Sequence, residues 1–275
     1  PFRSVPFEQI VRIHASSGTT GKRKILCYTG KDVADWCHFF ARAYEMAGVT
    51  PLDRVQIAVG YGVWTAGAGF QAGAEALGAM AVPVGPGNVD MHCEFLVDLQ
   101  STVLCCTASM GLLMAEEVNK RGIADKINLK KVIYGSERSS VSMRRKISEL
   151  LGGVELFDIP GLTELYGPGT GIECPDHDCI HYWADYYLLE ILDPETLTPL
   201  PDGEWGEMVV TTLCKEAAPL IRYRTGDITR IIPGPCTCGA VLPRHSRLRG
   251  RTDDMFKFRA VNIYPSSVDR ILSEI

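Results

Sequence analysis

The stretch His14-Ala15-Ser16-Ser17-Gly18-Thr19-Thr20-Gly21-Lys22 decides how the rest of the chain is interpreted. From position 16 to position 22 it holds four hydroxyl side chains, two glycines and one lysine. Glycines let backbone N–H groups turn toward one point, and the lysine adds positive charge, so this composition suits a phosphate-binding loop. A polar hairpin turn has the same composition, and composition alone leaves both interpretations open.

The spacing of the two glycines excludes one common type of phosphate loop. A Walker A loop has four residues between its first glycine and the Gly-Lys pair, and a helix follows directly. Here two residues separate Gly18 from Gly21, and the apolar residues after Lys24 are typical of a strand.

Composition restricts the class of protein. The chain has 275 residues, 46% of them hydrophobic, and a net charge of −5, which gives no basic surface for nucleic acid. It has no apolar run of membrane-spanning length. Pro1-Phe2-Arg3-Ser4 does not have the charged-then-apolar pattern of a secretion signal, and because no Met starts the sequence we expect residues to be missing before it. Ten cysteines in such a chain indicate reduced thiols or a metal site. We therefore expect a cytoplasmic protein that acts without nucleic acid or a membrane.

Periodicity predicts an α/β fold. A helix is predicted over 31–47, with Val33, Trp36, Cys37, Phe40 and Tyr44 on one face. Strands and helices then alternate, which implies crossover connections and a mostly parallel sheet. Pro83 indicates that its strand ends early or lies at an edge of the sheet. The predicted strands are 54–59, 80–84, 102–107, 131–134 and 154–159, and the predicted helices are 65–78, 91–99, 110–121 and 140–151.

The pattern changes near residue 165. Strand-like segments over 182–192 and 207–213 are bounded by turn sequences, which predicts antiparallel pairing. We expect an α/β part over 1–165 and an antiparallel β subdomain over 166–250, followed by a third segment over 251–275.

Four motifs occur in a fixed order and together carry a family resemblance. They are Arg12-Ile13-His14 with the loop 16–22; Gly161-Leu162-Thr163-Glu164 with Gly167-Pro168-Gly169; Ile221-Arg222-Tyr223-Arg224-Thr225-Gly226-Asp227; and Gly250-Arg251-Thr252-Asp253-Asp254-Met255. The chain resembles the acyl-adenylate-forming enzymes, and among them the phenylacetate–coenzyme A ligases. The resemblance implies the large N-terminal adenylation domain of such an enzyme, with mostly parallel sheets, an antiparallel β subdomain and most of the C-terminal domain absent. Residues 1–165, without an N-terminal segment that the family has, would bind nucleotide and acyl group. Residues 251–275 would form a hinge and the start of the truncated C-terminal domain.

The resemblance implies a two-step ligation of a small aryl carboxylate to coenzyme A, driven by ATP and Mg²⁺. An acyl-adenylate forms with release of pyrophosphate, and the thiol of coenzyme A then displaces AMP. Residues 16–22 would hold the pyrophosphate end of ATP, Glu164 would help to hold Mg²⁺, and Thr163 would reach the α-phosphate. Asp227 would accept hydrogen bonds from the ribose, and Arg251 would lie near the phosphates.

Further roles follow from the same resemblance. Tyr61 and Gly62 would border the acyl group, and Trp64 is either part of that pocket or a core residue. Asp253 marks the hinge on which a C-terminal domain swings. The implied catalytic residues are Lys22, Thr163, Glu164 and Arg251. The implied nucleotide-binding residues are Ser16, Ser17, Gly18, Thr19, Thr20, Gly21, Gly135, Ser136, Glu137, Asp158, Asp227 and Asp253.

Three departures from the family pattern keep alternatives open. Pro160 stands where the family has an adenine-stacking aromatic residue, and Ala260 stands where it has a glycine beside the coenzyme A tunnel. The family's C-terminal lysine has no counterpart, so we expect these 275 residues to be a fragment or the ordered part of a longer enzyme. By themselves they would bind nucleotide but adenylate poorly. The alternatives are an adenylyltransferase that does not use coenzyme A, resembling coenzyme F390 synthetase, and a catalytically silent nucleotide-binding module. A homodimer is allowed, but the sequence does not fix the oligomeric state.

Two groups of soft ligands predict a structural zinc site. The segment 174–181 holds two cysteines and two histidines, and Cys236-Thr237-Cys238 follows about sixty residues later. Thiolate and imidazole are the ligands that Zn²⁺ prefers in tetrahedral sites. Cysteines that stay free in a reducing cytoplasm are the other interpretation. The predicted ligands are Cys174, His181, Cys236 and Cys238, with His177 and Cys179 as reserves.

Overall fold

A computed structural model describes residues 3–16, 24–137 and 139–252, and also 256–258, 261–263, 268, 271 and 272. The chain divides into two compact units. The first unit comprises Pro1–Pro175 and Glu216–Ala218, and the second comprises Asp176–Lys215 and Pro219–Ile275. No helix in the described residues is long and apolar enough to cross a membrane.

Among its described residues, the first unit has five α-helices and ten strands. The helices are α1 (Gly30–Met46), α2 (Ala66–Leu77), α3 (Val89–Asp98), α4 (Ala108–Lys120) and α5 (Val141–Leu150). The strands are β1 (Arg12–Ala15), β2 (Ile25–Tyr28), β3 (Arg54–Ile57), β4 (Met80–Val82), β5 (Val103–Thr107), β6 (Lys131–Gly135), β7 (Glu155–Asp158), β8 (Gly161–Leu162), β9 (Gly167–Pro168) and β10 (Gly171–Glu173).

A parallel sheet of order β4-β3-β5-β6-β7 forms the centre of this unit. Each neighbouring pair is parallel, as the alternation of strands and helices predicts. The central strand β5 is apolar and buried along almost its whole length, which is typical of a sheet covered on both faces. The strand β4 ends directly before Pro83 and lies at the edge, so both expectations for that proline are confirmed.

The helix starts follow from short polar residues in the sequence. Thr29 opens α1 with a capping box, in which its hydroxyl accepts from the Asp32 backbone N–H and the Asp32 carboxylate accepts from the Thr29 N–H. Helices α3, α4 and α5 begin after Asn88, Thr107 and Ser140, respectively. The side-chain oxygen of each of these residues accepts a hydrogen bond from one backbone N–H of the first turn. Each cap satisfies a backbone donor that the first helical turn leaves unpaired.

Helices α1 and α2 pack closely on each other. The Phe40 ring on α1 contacts the Phe70 ring on α2 edge to face, with 5.1 Å between the ring centroids. A Cβ at Gly69 would lie 2.2 Å from the Phe40 ring, so only glycine allows the helices to approach this closely. Phe70 is therefore a core residue. Another apolar cluster joins α3, α4 and α5 to the sheet, with Leu96, Met114 and Ile147 fully buried.

The second unit is antiparallel, as predicted for this part of the chain. A four-stranded sheet has the order β12 (Tyr187–Leu192), β13 (Gly206–Thr212), β14 (Tyr223–Thr229) and β16 (Gly250–Arg251). The strand β11 (Ile180–Tyr182) pairs with β15 (Arg244–His245), and β17 (Phe256–Phe258) pairs with β18 (Val261–Ile263).

One predicted element is wrong. The sequence predicts a single strand over 182–192, but a turn over 183–186 separates β11 from β12. The backbone N–H groups of Tyr186 and Tyr187 both donate to the carbonyl oxygen of Trp183, at 2.9 and 3.0 Å. These aromatic residues have high strand propensity, so the local pattern hides the turn.

Candidate functional site

The predicted phosphate loop connects two antiparallel strands. Ala15 at the end of β1 is paired with Ile25 at the start of β2. The Ser16 N–H donates to the Lys24 carbonyl at 3.0 Å, and the Lys24 N–H donates to Ser16 Oγ at 3.1 Å, so both ends of the loop are held together. The strand predicted after Lys22 is confirmed. The predicted binding residues between these ends lie outside the described residues: Ser17, Gly18, Thr19, Thr20, Gly21 and Lys22.

A short hairpin carries the two residues predicted to act at the phosphates. Strands β8 and β9 pair with each other, and Thr163–Leu165 forms a single 3₁₀ turn between them. Thr163 and Glu164 therefore lie at the tip. The side chain of Glu164 is only 12% exposed, and its Oε1 lies 3.0 Å from Lys24 Nζ. The structure thus places the Glu164 carboxylate beside the end of the predicted phosphate loop.

Lys24 is a charged residue that the sequence analysis missed. Its side chain is 60% exposed, yet its ammonium group pairs with Glu164 across 140 positions of sequence. The phosphate-loop motif ends at Lys22, so only that lysine was predicted to act at the site. A second cation two residues further on was a signal, but sequence spacing does not show which carboxylate it meets.

The predicted nucleotide-binding segment Gly135-Ser136-Glu137 lies at the end of β6. Gly135 is the last residue of β6, and Ser136 has a left-handed backbone with φ of +68°. The Glu137 carboxylate accepts from the Ser109 N–H at 2.8 Å and from Ser109 Oγ at 3.0 Å, at the start of α4. Glu137 thus stabilises a helix N-terminus, a place that favours negative charge. The predicted site residue Asp158 is the last residue of β7, and it is paired with Tyr134 of the neighbouring parallel strand β6.

A buried ion pair holds this edge of the sheet, and the sequence analysis missed it. Arg144 on α5 donates to the fully buried Glu173 in a bidentate arrangement, at 2.9 and 3.1 Å. Glu173 Oε2 also accepts from the Asp158 N–H at 2.8 Å. Arg144 donates further to the Tyr134 hydroxyl and to the Leu156 carbonyl. The network therefore fixes the ends of β6 and β7, where the predicted nucleotide-binding residues begin.

The predicted acyl-binding loop follows β3. Gly62 has φ of +85°, and Trp64 packs beside Gly60. The Val63 carbonyl accepts from the Ala15 N–H at 2.8 Å, which attaches this loop to the strand that leads into the predicted phosphate loop. The Tyr61 hydroxyl is buried, and within the described residues no hydrogen-bond partner is found for it. Desolvation raises the pKa of Tyr61 to about 12, so the phenol stays protonated and is available as a donor.

A buried histidine attaches the next loop to the sheet. Gln56 Nε2 donates to His92 Nδ1 at 2.8 Å, and the Gln56 oxygen accepts from Ser101 Oγ at 2.8 Å. Because His92 Nδ1 accepts, the proton is on Nε2, which donates to the Gly85 carbonyl at 2.9 Å. Protonation of the ring would put a proton on Nδ1, so this N–H would face the N–H donor of Gln56. Desolvation lowers the pKa of His92 from its usual value.

This geometry predicts a pH dependence of stability. The pKa of His92 is lower in the folded than in the unfolded state, so its contribution is complete above the unfolded value and decreases as the pH falls below about 6.5. We expect urea unfolding to show a larger loss of stability between pH 7.5 and 5.5 in the wild type than in His92→Asn. An equal loss in both proteins would contradict this assignment.

In the second unit the structure brings together two predicted site residues. Arg251 Nη1 lies 3.2 Å from Asp227 Oδ1, and the paired strands β14 and β16 place the two residues opposite each other. Asp227 is buried, and its N–H donates to Thr225 Oγ1 at 3.0 Å. Arg251 also donates to the Thr225 carbonyl at 3.3 Å. Asp253 and Ala260 lie outside the described residues.

Three predicted metal ligands converge in the second unit. The ligand atoms of His181, Cys236 and Cys238 lie within 4.8 Å of one another. His181 Nε2 is 3.3 Å from Cys238 Sγ, and its Nδ1 lies 3.0 Å from the Leu242 carbonyl. Such a second contact is the usual way in which a metal-binding histidine is oriented. The Sγ atom of Cys179, one of the two alternative ligands, lies 4.0 Å from Cys236 Sγ.

The fourth predicted ligand, Cys174, is the second-last residue of the Pro1–Pro175 segment of the first unit. It is completely buried and forms no disulfide. Its assignment as a ligand therefore stays a prediction from the sequence.

Comparison with known proteins decides the family. A family model described as AMP-binding enzyme matches residues 4–214, which is more than half of the chain. This chain belongs to the AMP-binding enzyme family. Membership agrees with the family resemblance of the four motifs and with the observed α/β architecture.

Several similar proteins are named phenylacetate-coenzyme A ligase. The chain is 41% identical over 274 residues to a phenylacetate-coenzyme A ligase of Thermus thermophilus, and 41% identical over 269 residues to one of Escherichia coli. These alignments cover 99% and 97% of this chain and 61% of each relative. The chain thus spans about three fifths of the length of the relatives that it matches.

Solved structures support the fold. An open conformation of 2-hydroxyisobutyryl-CoA ligase, in complex with 2-HIB-AMP and CoA, is 27% identical with a TM-score of 0.89. The match covers 98% of this chain and 64% of that one. ATP-bound MatB from Rhodopseudomonas palustris is 18% identical with a TM-score of 0.74, over 97% of this chain and 53% of that one, and shows similarity of fold alone. The predicted fold class, an adenylation-domain fold with a parallel central sheet and antiparallel sheets, is confirmed.

Proposed function

We propose that this chain carries the adenylate-forming part of an ATP-dependent carboxylate–coenzyme A ligase that acts on phenylacetate or a related aryl acid. The observation that carries the proposal is the hairpin tip with Thr163 and Glu164, held beside Lys24 at the end of the 16–22 loop. Similarity to ligases named for phenylacetate supports the substrate class. The sequence prediction of a cytoplasmic enzyme is part of the same proposal.

The first chemical step needs charge neutralisation more than it needs a covalent nucleophile on the protein. A carboxylate oxygen of the acid attacks the α-phosphorus of ATP, and the bond from that phosphorus to the bridging oxygen of pyrophosphate breaks. Negative charge develops on the phosphate oxygens, so cations and fixed donors nearby lower the barrier. We assign Lys22 and the backbone of the 16–22 loop to the departing pyrophosphate, and Thr163 to the α-phosphate.

Glu164 fits a magnesium role by its chemistry. Mg²⁺ is bound in nucleotide sites by one or two carboxylates together with phosphate oxygens. The Glu164 carboxylate is largely shielded, and it already neutralises one cation, Lys24. When bound, Mg²⁺ would supply charge neutralisation at the phosphates. Lys24 then keeps the carboxylate oriented toward the loop.

The other residues are assigned to binding. Asp227 accepts hydrogen bonds from the ribose hydroxyls, and Arg251, its neighbour at 3.2 Å, adds positive charge for phosphate. The donor hydroxyl of Tyr61, with Gly62 and Trp64, borders the acid. Adenine is assigned to Gly135, Ser136 and Glu137, and Asp158 is assigned to the nucleotide. In the second step the thiol of coenzyme A releases its proton to water as its sulfur bonds to the acyl carbon, and AMP leaves with the bonding electrons of the cleaved C–O bond.

A panel of acids tests this function. Purified protein with ATP and Mg²⁺ is given phenylacetate, 4-hydroxyphenylacetate, benzoate or acetate, with and without coenzyme A, and pyrophosphate and thioester are measured. Acid-dependent pyrophosphate release with thioester formation, greatest for an aryl acid, supports the proposal. Pyrophosphate release without thioester indicates an adenylyltransferase that does not use coenzyme A. ATP binding without release in any arm indicates a nucleotide-binding module.

We also propose a structural zinc site formed by Cys174, His181, Cys236 and Cys238. The donor set fits zinc, because two thiolates and an imidazole already converge within the second unit. The distance of 3.3 Å between His181 Nε2 and Cys238 Sγ is close to the roughly 3.6 Å that a tetrahedral ion with usual Zn–N and Zn–S bonds requires.

Metal analysis tests the zinc site. We expect one zinc per chain after purification without chelators, and a melting temperature that falls by several degrees when a chelator removes it. Cys238→Ser should lose zinc, whereas Cys37→Ser, on α1, should keep it. Comparison of Cys174→Ser with Cys179→Ser identifies the fourth ligand. Wild-type protein that contains no zinc would exclude the site.

A further inference from the structure

Asp32 is a fully buried carboxylate that the proposed chemistry does not use. Its two oxygens accept four hydrogen bonds: from the backbone N–H groups of Thr29 at 3.0 Å, Glu216 at 2.8 Å and Ala217 at 2.9 Å, and from the Tyr166 hydroxyl at 2.9 Å. A buried charge with every acceptor direction occupied forms a rigid centre. All these residues belong to the first unit.

The hydrogen bond from the Tyr166 hydroxyl connects Asp32 to the hairpin that carries Thr163 and Glu164. Tyr166 ends the 3₁₀ turn that contains Glu164 and has φ of +81°, a left-handed conformation that is unusual for a bulky residue. Such strain persists only where the surroundings enforce it. Here the Tyr166 ring packs edge to face on Tyr28 and Phe39, with centroid distances of 5.5 and 5.0 Å, and its hydroxyl is held by Asp32.

The rest of the hairpin packs closely on its surroundings but is too short to set its own direction. A Cβ at Gly167 would lie 1.9 Å from Thr65 Oγ1, so the hairpin packs against the start of α2 without a gap. The strands β8 and β9 are only two residues long each. Two pairs of residues do not form a stable hairpin by themselves. The direction of Thr163 and Glu164 therefore depends on the Tyr166 end.

We propose that Asp32 is a positioning residue for adenylation, which acts through the Tyr166 hydroxyl to aim Thr163 and Glu164 at the phosphates. This inference rests on the proposed function, because those two residues matter only if nucleotide binds there. Misplacement of a catalytic group by about 1 Å costs on the order of 100-fold in rate, so one anchoring bond far from the substrate can have a large kinetic effect.

The test compares two variants that remove different bonds of the same network. Tyr166→Phe removes only the bond between Asp32 and the hairpin. Thr29→Val removes the cap of α1 and the bond from Thr29 Oγ1 to Glu216 at 2.7 Å, but it leaves Tyr166 untouched. Hydrogen–deuterium exchange of peptides that cover 161–168 reports hairpin order without any substrate. Pyrophosphate release gives kcat and the KM for ATP.

We expect Tyr166→Phe to raise exchange over 161–168 at least tenfold and to lower kcat at least tenfold, with a smaller change in KM. Thr29→Val should lower the melting temperature but leave both quantities within twofold. In a Tyr166→Phe background, Asp32→Asn should have little further effect on kcat, because the two act in series. Unchanged exchange and kcat in Tyr166→Phe, or equal kinetic losses in Thr29→Val, would overturn the inference. If the wild type releases no pyrophosphate, the proposed function fails, and the exchange data alone decide whether Asp32 orders the hairpin.

Discussion

Replacement of Glu164 by glutamine should lower the rate of acid-dependent pyrophosphate release by about two to three orders of magnitude, the range found when one electrostatic contact to a transition state is removed. Glutamine keeps the shape of the side chain but removes its charge. The variant therefore loses attraction for a divalent cation and for Lys24, which lies 3.0 Å from the carboxylate. Folding should be nearly unaffected, because the partner Lys24 is mostly exposed and surface pairs contribute little to stability.

The charge of Lys24 provides a matched control for this prediction. Lys24→Met removes the same ion pair from the other side and leaves the carboxylate intact. We expect a decrease of pyrophosphate release of about tenfold or less, together with an unchanged or lower Mg²⁺ concentration at half-maximal rate. For Glu164→Gln that concentration should rise. Equal losses in both variants would show that the ion pair alone, and no cation role of Glu164, supports the reaction.

Replacement of Glu173 by glutamine should destabilise the protein by about 3–5 kcal/mol, the usual cost of leaving a buried charge without its partner. Glu173 is completely buried, and the side chain of Arg144 is only 12% exposed. The substitution leaves the Arg144 guanidinium uncompensated, and it places an amide where two arginine N–H groups and the Asp158 N–H donate. Urea unfolding monitored by tryptophan fluorescence measures the loss.

An exposed ion pair in the same unit provides the comparison. Lys146 on α5 pairs with Glu116 on α4 at 2.7 Å, and both side chains are about half exposed. Glu116→Gln should change the free energy of unfolding by less than about 1 kcal/mol, because solvent screens such pairs. If Glu173→Gln were as mild as this control, the buried pair would not be a principal stabilising contact of the sheet edge.

Local periodicity predicted the elements of the first unit well. The helix over 31–47 and the five parallel strands were found within a few residues of their observed ends. Long amphipathic and apolar runs determine these elements, and Pro83 carries its own geometric restriction. In the second unit, apolar aromatic residues around Trp183 occupy a turn, so strand propensity misled the prediction there.

Contacts between distant residues were not predictable from the pattern. Arg144 and Glu173 are 29 residues apart, and Lys24 and Glu164 are 140 apart. Each of these residues taken alone is typical of a solvated surface. The contacts of Asp32 were partly predictable, because Thr29 followed three residues later by an acid is a recognisable capping pattern. That pattern predicts the helix start, but not the bond to Tyr166.

One outer strand of the parallel sheet, β4, leaves a short edge on which another chain could pair. Unpaired strand edges are sites at which foreign chains add and aggregates begin. The edge strand β4 is only three residues long, and Pro83, directly after it, has no N–H to donate. This edge therefore offers too few consecutive backbone donors and acceptors for another strand to pair with it. We expect this edge to resist amyloid-like growth even though Met80 is half exposed there.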